Sequence, residues 1–299
     1  MKAQSKAYIL AITAVLLWST AATAFKISLQ LYNYLQLLFI ASLTSTLFLL
    51  IVIITQGKFK KLFSYTAKEY LWSALLGFLN PFLYYIVLLK AYSILPAQVA
   101  QPLNYTWPIV LVFLAAPLLK QKLKIRSVFA LLISFSGVYF ISSQGKPFST
   151  DINEPLGVFL ATISSVIWAL FWIFNVKDKR TEIEKLFSGF VFGTVFILIY
   201  LLSFSEFPIF NLYGLLSSMY VGMFEMGLTF VLWLMAMQLT SSADKISNLV
   251  FLSPFVSLIF IHFIIGEEIF ITTLLGIFLI LVGIFTQQMK FKKNWLKRK

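Results

Sequence analysis

The chain has 299 residues, of which 60% are hydrophobic, 17% aromatic and only 12% charged, and its mean hydropathy is +0.90. This composition lies far outside the range of soluble globular proteins, so we expect a chain embedded in a lipid bilayer. Cysteine is absent, which excludes a disulfide framework and a thiolate site, and the net charge is +13.

Ten apolar runs follow one another along the chain, separated by charged or Gly/Pro-containing breaks. They lie near 6–24, 34–55, 70–90, 97–119, 127–142, 156–175, 187–204, 212–237, 246–265 and 269–288. A helix needs roughly 20 apolar residues to cross about 30 Å of hydrocarbon, and only the fifth run is clearly short. The sequence therefore predicts an all-α integral membrane protein with ten transmembrane helices and no room for a soluble domain.

The first run has a second interpretation. It follows Lys2 and Lys6 and contains Ala22-Thr23-Ala24, a small-x-small pattern typical of a signal-peptide cleavage site. A removed signal is therefore an alternative to a retained first helix, and the internal repeat described below favours retention.

Basic residues predict the orientation, because they are in excess on the cytoplasmic side of short loops. With both termini inside, all but Lys26, Lys90 and Lys146 of the 24 Lys and Arg residues fall on the inner side. We therefore expect a multi-pass protein of the cell (inner or plasma) membrane with cytoplasmic termini. This distribution accounts for the positive charge without a nucleic-acid partner. The basic tail, 290–299, is expected to serve as an inside anchor or to bind anionic lipid headgroups.

The two halves of the chain resemble each other. Trp18 in "ILAITAVLLW" matches Trp168 in "FLATISSVIW", and Pro108 matches Pro254. Two sets of residues are separated by a constant offset of 145 positions, and each set is expected to form a polar stripe along one face of a helix. The sets are Ser73, Gly77, Asn80 and Tyr84, and Ser218, Gly222, Glu225 and Thr229. Five helices per half make the repeat inverted. The predicted units are 1–145, 155–289 and the tail 290–299.

Together these features resemble the EamA-type transporters of the drug/metabolite transporter superfamily. The resemblance rests on the five-plus-five helices, the mid-helix Trp pair, "LLKAYSILPAQVAQPLNYTWP" and "SPFVSLIFIHFIIGEE". It implies a central cavity walled mainly by helices 1, 3, 4, 6, 8 and 9 that opens alternately to each side. One departure is Lys120-Gln121-Lys122, where the family commonly has Gly-Glu, whereas Gly266-Glu267 keeps that pattern. We expect no loss of function from it.

Glu225 is the single carboxylate in the middle of the apolar run 212–237, in "GMFEMGLTF". A charge at the centre of a bilayer must face protein or water and is by default a functional-site hypothesis. We expect it to exchange a proton as the cavity changes sides, to pair with a cationic group of the substrate, or to do both in one cycle. The alternative is a protonated Glu225 that only hydrogen-bonds to a neighbouring helix.

Further residues are expected to line the same cavity. Asn80 lies at the position paired with Glu225, beside Pro81, which frees a backbone carbonyl. The remaining candidates are Tyr84, Gln101, Asn104, Trp107, Trp18, Trp168, Trp172 and Thr229. Aromatic walls suit apolar, aromatic or cationic groups, although Trp also forms interfacial belts and packing contacts.

His262 is the single histidine and lies near the outer end of the ninth run. One imidazole makes no metal site, and it can instead sense pH at an outer gate. The alternative is an interfacial or packed histidine.

The function expected from these observations is secondary transport. Neither Gly57-Lys58 nor Gly145-Lys146 completes a phosphate-binding P-loop, and an intramembrane enzyme remains only a remote alternative. We expect no cofactor and a small-molecule substrate. The resemblance favours export of a small amphipathic metabolite, an amino acid or an organic amine. The main alternative is a passive facilitator or channel.

Overall fold

The computed structural model describes residues 3–118, 125–146, 154–240 and 248–288, and every regular element in these ranges is helical. Lys120-Gln121-Lys122 and the basic tail lie outside the described residues. We number the main helices in chain order. They are α1 (Ala3–Leu29), α2 (Tyr34–Thr55), α3 (Ala67–Ile94), α4 (Ala97–Leu118), α5 (Ile125–Ser142), α6 (Pro155–Lys177), α7 (Glu182–Phe204), α8 (Leu212–Leu239), α9 (Ser253–Ile265) and α10 (Ile271–Gln288).

Seven of these helices, α1 to α4 and α6 to α8, are long and apolar enough to cross a membrane, and the other three are shorter apolar helices. The predicted all-α membrane fold is therefore confirmed. The exact number of spans stays a prediction, as do the inverted repeat and the unit boundaries at 145, 155 and 289.

Helix starts follow ordinary capping chemistry. The side chain of Asn33 accepts hydrogen bonds from the backbone of Leu35 and Gln36 at the start of α2, and the Gln36 side chain accepts one from the Asn33 backbone. Thr66 and Glu69 form the same reciprocal capping box at the start of α3. Each box satisfies backbone donors that lack partners in the first turn of a helix.

Two of the long helices contain a π-helical segment near their middle. A π-helical segment, Phe78–Leu83, divides α3, and its Asn80 leaves the helical region with φ −150° and ψ 119°. Pro81 lacks an N–H and clashes with the carbonyl four residues earlier, which explains the break. A second π-helical segment, Val221–Gly227, divides α8. The 145-residue spacing noted in the sequence pairs these two positions.

The π-helical turn in α8 alters the stripe expected there from regular helical spacing. Gly222 packs against the backbone of Ala41 in α2, whereas Glu225, three residues later, faces Trp18 and Tyr85. In α8 the expectation that Gly222 and Glu225 share one face is wrong, because a π turn hydrogen-bonds over five residues and shifts the following side chains around the axis.

The helices pack in neighbouring pairs, with α1 against α8 and α9, α2 against α7, α3 against α6 and α7, α4 against α6, and α5 against α10. Glycine permits a close crossing of α3 and α7. A Cβ added to Gly77 of α3 would lie 2.8 Å from the backbone nitrogen of Gly193 and would also overlap the carbonyl oxygen of Gly189. Small residues of this kind let two membrane helices approach backbone to backbone.

Charged side chains connect the α6–α7 turn to the first half of the chain. Arg180 forms a 2.6 Å ion pair with Asp178, donates to Ser73 Oγ at 2.9 Å and lies over the Tyr65 ring at 4.9 Å. We call these four residues the Arg180 cluster. Lys61 and the fully buried Glu184 form a second ion pair at 2.9 Å. Burial disfavours the charged form of Asp178, but the hydrogen bonds from Arg180 outweigh it and hold the Asp178 pKa below its usual value.

Candidate functional site

Glu225 lies where α1, α3 and α8 meet. The Tyr85 hydroxyl donates to its Oε1 at 3.1 Å, and the Trp18 indole nitrogen donates to its backbone carbonyl at 3.4 Å. Its second carboxyl oxygen, Oε2, is buried and has no hydrogen-bond partner among the described residues. The carboxyl group is thus held on one side and unsatisfied on the other.

Aromatic rings form a continuous chain from Tyr85 to Trp18, the two residues that bond to Glu225. Tyr84 lies 4.7 Å from Tyr85 and 4.6 Å from Trp168, measured between ring centroids. Phe230 then links the two tryptophans, 5.8 Å from Trp168 and 5.9 Å from Trp18. The structure therefore brings together four of the predicted residues, Trp18, Tyr84, Trp168 and Glu225, through contacts with Tyr85 and Phe230.

Tyr84 also begins a polar network between α3, α4 and α6. Its hydroxyl donates to Asn104 Oδ1 at 3.2 Å, and Asn104 Nδ2 donates to Ser164 Oγ at 2.8 Å. Beside it, Thr106 donates to Ser165 at 3.2 Å. Since these groups already satisfy one another, Asn104 positions the Tyr84 ring within the aromatic wall.

Two further predicted residues carry unsatisfied polar atoms. Asn80 is 2% exposed, and neither its amide nitrogen nor its oxygen has a hydrogen-bond partner in the described part of the chain. The buried indole nitrogen of Trp172 is in the same condition, and the Trp172 ring lies 5.9 Å from that of Trp168. Most buried polar groups in folded proteins are paired, so these atoms are candidates for contact with water or a bound molecule.

The other predicted residues lie apart from these contacts. The Thr229 hydroxyl is fully buried and donates to the Phe224 carbonyl within α8. Gln101 is buried and Trp107 is half-buried in α4. His262 is exposed at the end of α9, where its Nδ1 lies 3.1 Å from the Glu267 carbonyl oxygen. No group of three or more metal-ligating side chains occurs in the described residues.

Sequence reasoning did not single out Phe230 and Trp233 of α8, although Trp233 lies 5.4 Å from Trp18. In a helix that is apolar on all sides, an additional aromatic residue carries no signal of its own. Ser164 of α6 was missed for a related reason, because serine is common at packed membrane-helix interfaces.

The fold and site define a multi-pass membrane protein whose helices enclose a carboxyl group and a wall of aromatic rings. Comparison with known proteins assigns the family. The model of the EamA-like transporter family matches residues 5–143 and 155–286, so the chain belongs to the EamA-like transporter family, within the drug/metabolite transporter superfamily. It is accordingly a membrane transporter.

Relatives of similar length carry the same general description. An "Uncharacterized transporter" of Clostridium kluyveri is 26% identical over 307 aligned positions, which cover 98% of this chain and 96% of that protein. "Uncharacterized transporter YvbV" of Bacillus subtilis is 28% identical over 245 positions, covering 79% and 77%. One crystal structure superposes with a TM-score of 0.66 at 18% identity, covering 95% of this chain and 96% of that one, a likeness of fold alone.

Proposed function

We propose that this transporter exports a small amphipathic metabolite, an amino acid or an organic amine, by alternating access, and that Glu225 is the group that binds the substrate amine or couples transport to protons. The observation that carries the proposal is the carboxyl group of Glu225, bonded to Tyr85 through Oε1 and unsatisfied at Oε2.

An amine matches the chemistry of this position. The three ion pairs formed by the described residues all lie elsewhere, so a cationic substrate group would supply the opposite charge that Glu225 lacks. The surrounding Trp, Tyr and Phe rings favour the same ligand, because the face of an aromatic ring attracts a cation. They also offer apolar surface for the remainder of an amphipathic molecule.

Proton coupling uses the same carboxyl group. When protonated, Glu225 can donate to a partner or leave the substrate amine unpaired, and when ionised it can hold the amine. A cycle in which the two ligands alternate on one carboxyl group exchanges protons for substrate across the membrane. We place this cycle in the cell membrane with both termini cytoplasmic.

A reconstituted transport assay tests the proposal. A thermal-shift screen of the purified protein against amino acids, amines and nucleosides first supplies the substrate. In proteoliposomes, a coupled carrier accumulates that substrate when a pH gradient is imposed, whereas a passive facilitator or channel only equilibrates it.

The variant Glu225→Gln separates the two roles. If Glu225 couples protons, uphill transport is lost while substrate exchange survives. If Glu225 pairs with the amine, binding weakens by about 2–5 kcal/mol, because the amine is left buried without its partner. Glu206→Gln is the matched control, since Glu206 is exposed in the α7–α8 connection. Unchanged transport and pH dependence in Glu225→Gln would remove Glu225 from the mechanism.

A further inference from the structure

The connection between α3 and α4 is held from two directions by buried or half-buried polar groups. From α1, Lys26 Nζ donates to the carbonyl oxygens of Tyr92 at 3.0 Å and Leu95 at 2.9 Å. These carbonyls lie at the end of α3, where the last turn of a helix leaves acceptors without internal partners. The ammonium group therefore ties α1 to the end of α3.

Glu267 holds the same connection from the other half of the chain. Its Oε1 accepts a hydrogen bond from the Ala97 backbone at 2.8 Å, and its Oε2 accepts one from the Gln98 backbone at 3.2 Å. A carboxylate at the start of α4 satisfies orphan N–H groups and complements the positive end of the helix dipole. Gly266 makes this possible, because its left-handed φ of +79° ends α9 and turns the chain toward α4.

Gln98 adds a third set of contacts. Its side chain is 1% exposed, donates to the Glu268 carbonyl at 2.6 Å and accepts from the Phe270 backbone at 2.9 Å and the Thr273 hydroxyl at 3.2 Å. Both polar atoms of the amide are thus bonded to the α9–α10 connection or to the first turn of α10. Two segments distant in sequence are joined here by charge-assisted and buried hydrogen bonds.

These contacts join helices that must separate if the expected central cavity, called the chamber below, is to open at this end. The Arg180 cluster and the Lys61–Glu184 pair join other segments, near the start of α3 and the start of α7. Side-chain hydrogen bonds and ion pairs therefore hold the structure together near both ends of α3. In a transporter that opens to one side at a time, each set of contacts has to break in turn.

We propose that Lys26, Gln98 and Glu267 form a latch that closes the chamber at the α3–α4 end, and that release of Glu267 from the start of α4 opens it. The distribution of basic residues predicts that this end faces outward, so we call the three residues the outer latch. The inference rests on the alternating access of the proposed function. It gives the Gly266-Glu267 pair a role in gating.

Cysteine labelling tests the latch without any substrate. The chain has no native cysteine, so Trp18→Cys provides a single reporter on a half-buried residue beside Glu225. In membrane vesicles of defined orientation, a membrane-impermeant maleimide should label this reporter slowly while the latch is closed. Adding Glu267→Ala should raise the labelling rate about tenfold from the α3–α4 side only, since two hydrogen bonds to a charged group are lost.

The matched control is Glu268→Ala. Glu268 is an exposed neighbour that serves the latch only through its backbone carbonyl in the described contacts, so its replacement should leave the rate unchanged. Lys26→Met should raise the rate like Glu267→Ala, and Glu267→Gln should raise it less, because one acceptor oxygen remains. If Glu267→Ala does not yield a monodisperse protein, these two milder variants decide the outcome.

Two results would overturn the latch. One is an unchanged labelling rate in the folded Glu267 and Lys26 variants, and the other is an equal rise in Glu268→Ala. Because no substrate is present, failure of amine transport leaves this assay interpretable. Conversely, a failed latch leaves the role proposed for Glu225 untouched.

Discussion

The Tyr85 hydroxyl donates a 3.1 Å hydrogen bond to Oε1 of Glu225, joining α3 of the first half to α8 of the second. Tyr85 is fully buried, so the bond also fixes the direction in which the unsatisfied oxygen of Glu225 points. The position of the carboxyl group therefore depends on a residue that belongs to the opposite half of the chain.

The first prediction removes this bond. Tyr85→Phe should reduce transport of the substrate, with an apparent binding loss of about 1–3 kcal/mol, because Glu225 Oε1 is left buried without its donor. Concentration-dependent uptake in proteoliposomes measures the change. Tyr213→Phe is the control for loss of a tyrosine hydroxyl, since Tyr213 is exposed near the start of α8. Equal losses in the two variants would show that the effect does not come from the bond between Tyr85 and Glu225.

The second prediction concerns orientation. Reporter fusions after Lys61, Lys124 and Arg180 and at the C-terminus should all read cytoplasmic, because the basic residues concentrate on that side. Paired alkaline phosphatase and fluorescent protein fusions measure this. A fusion after Lys124 that reads external would contradict the inverted repeat and would place the outer latch on the other side.

The third prediction concerns solvent access to the centre of the bundle. Single cysteines replacing Trp18, Trp168, Gln101, Asn104 or Trp107 should react with a small soluble maleimide if these residues face a shared aqueous chamber. Phe278→Cys is the lipid-facing control, because Phe278 is 60% exposed on the apolar helix α10. Mass spectrometry of the labelled protein gives the extent of reaction. Similar labelling at Phe278 and at the central positions would argue against a chamber.

The fourth prediction concerns acid stability. The Asp178 pKa is lowered in the folded protein, so its ion pair contributes stability above the unfolded pKa of about 3.9 and loses it as pH falls through the lower folded value. Asp178→Asn should lower the melting temperature at pH 7 and flatten its dependence on pH below about 4. Thermal unfolding in detergent measures both effects. Glu206→Gln should retain the wild-type profile, and an Asp178→Asn profile parallel to wild type would exclude this contribution.

The membrane fold could be predicted from the sequence because the bilayer imposes simple rules on length and polarity. An isolated charge such as Glu225 stands out against an apolar run for the same reason. The rings that contact Trp18 beside it do not stand out, since Phe230 and Trp233 are two aromatic residues in a chain with many. The contact between Tyr85 and Glu225 depends on how α3 and α8 cross, and periodicity within one helix carries no information on that crossing.

The breaks in α3 and α8 limited sequence reasoning in a different way. Regular helical spacing placed Gly222 and Glu225 on one face, but the π-helical turn directs them to α2 and to α1 with α3. The sequence marks α3 with Pro81, whereas nothing as distinctive marks the turn in α8. Similarly, Gly266-Glu267 could be identified as a pattern, but its contact with the start of α4 required the packing of two distant segments.

The break at Phe78–Leu83 divides α3 into two parts that are held by different contacts. The part before the break is hydrogen-bonded to Arg180 through Ser73. The part after it is hydrogen-bonded to Lys26 through the carbonyl oxygens of Tyr92 and Leu95. In a continuous helix, a displacement of one end would move the other end with it. Because Phe78–Leu83 interrupts the regular helix between them, we expect each part of α3 to tilt with less effect on the other than in a continuous helix.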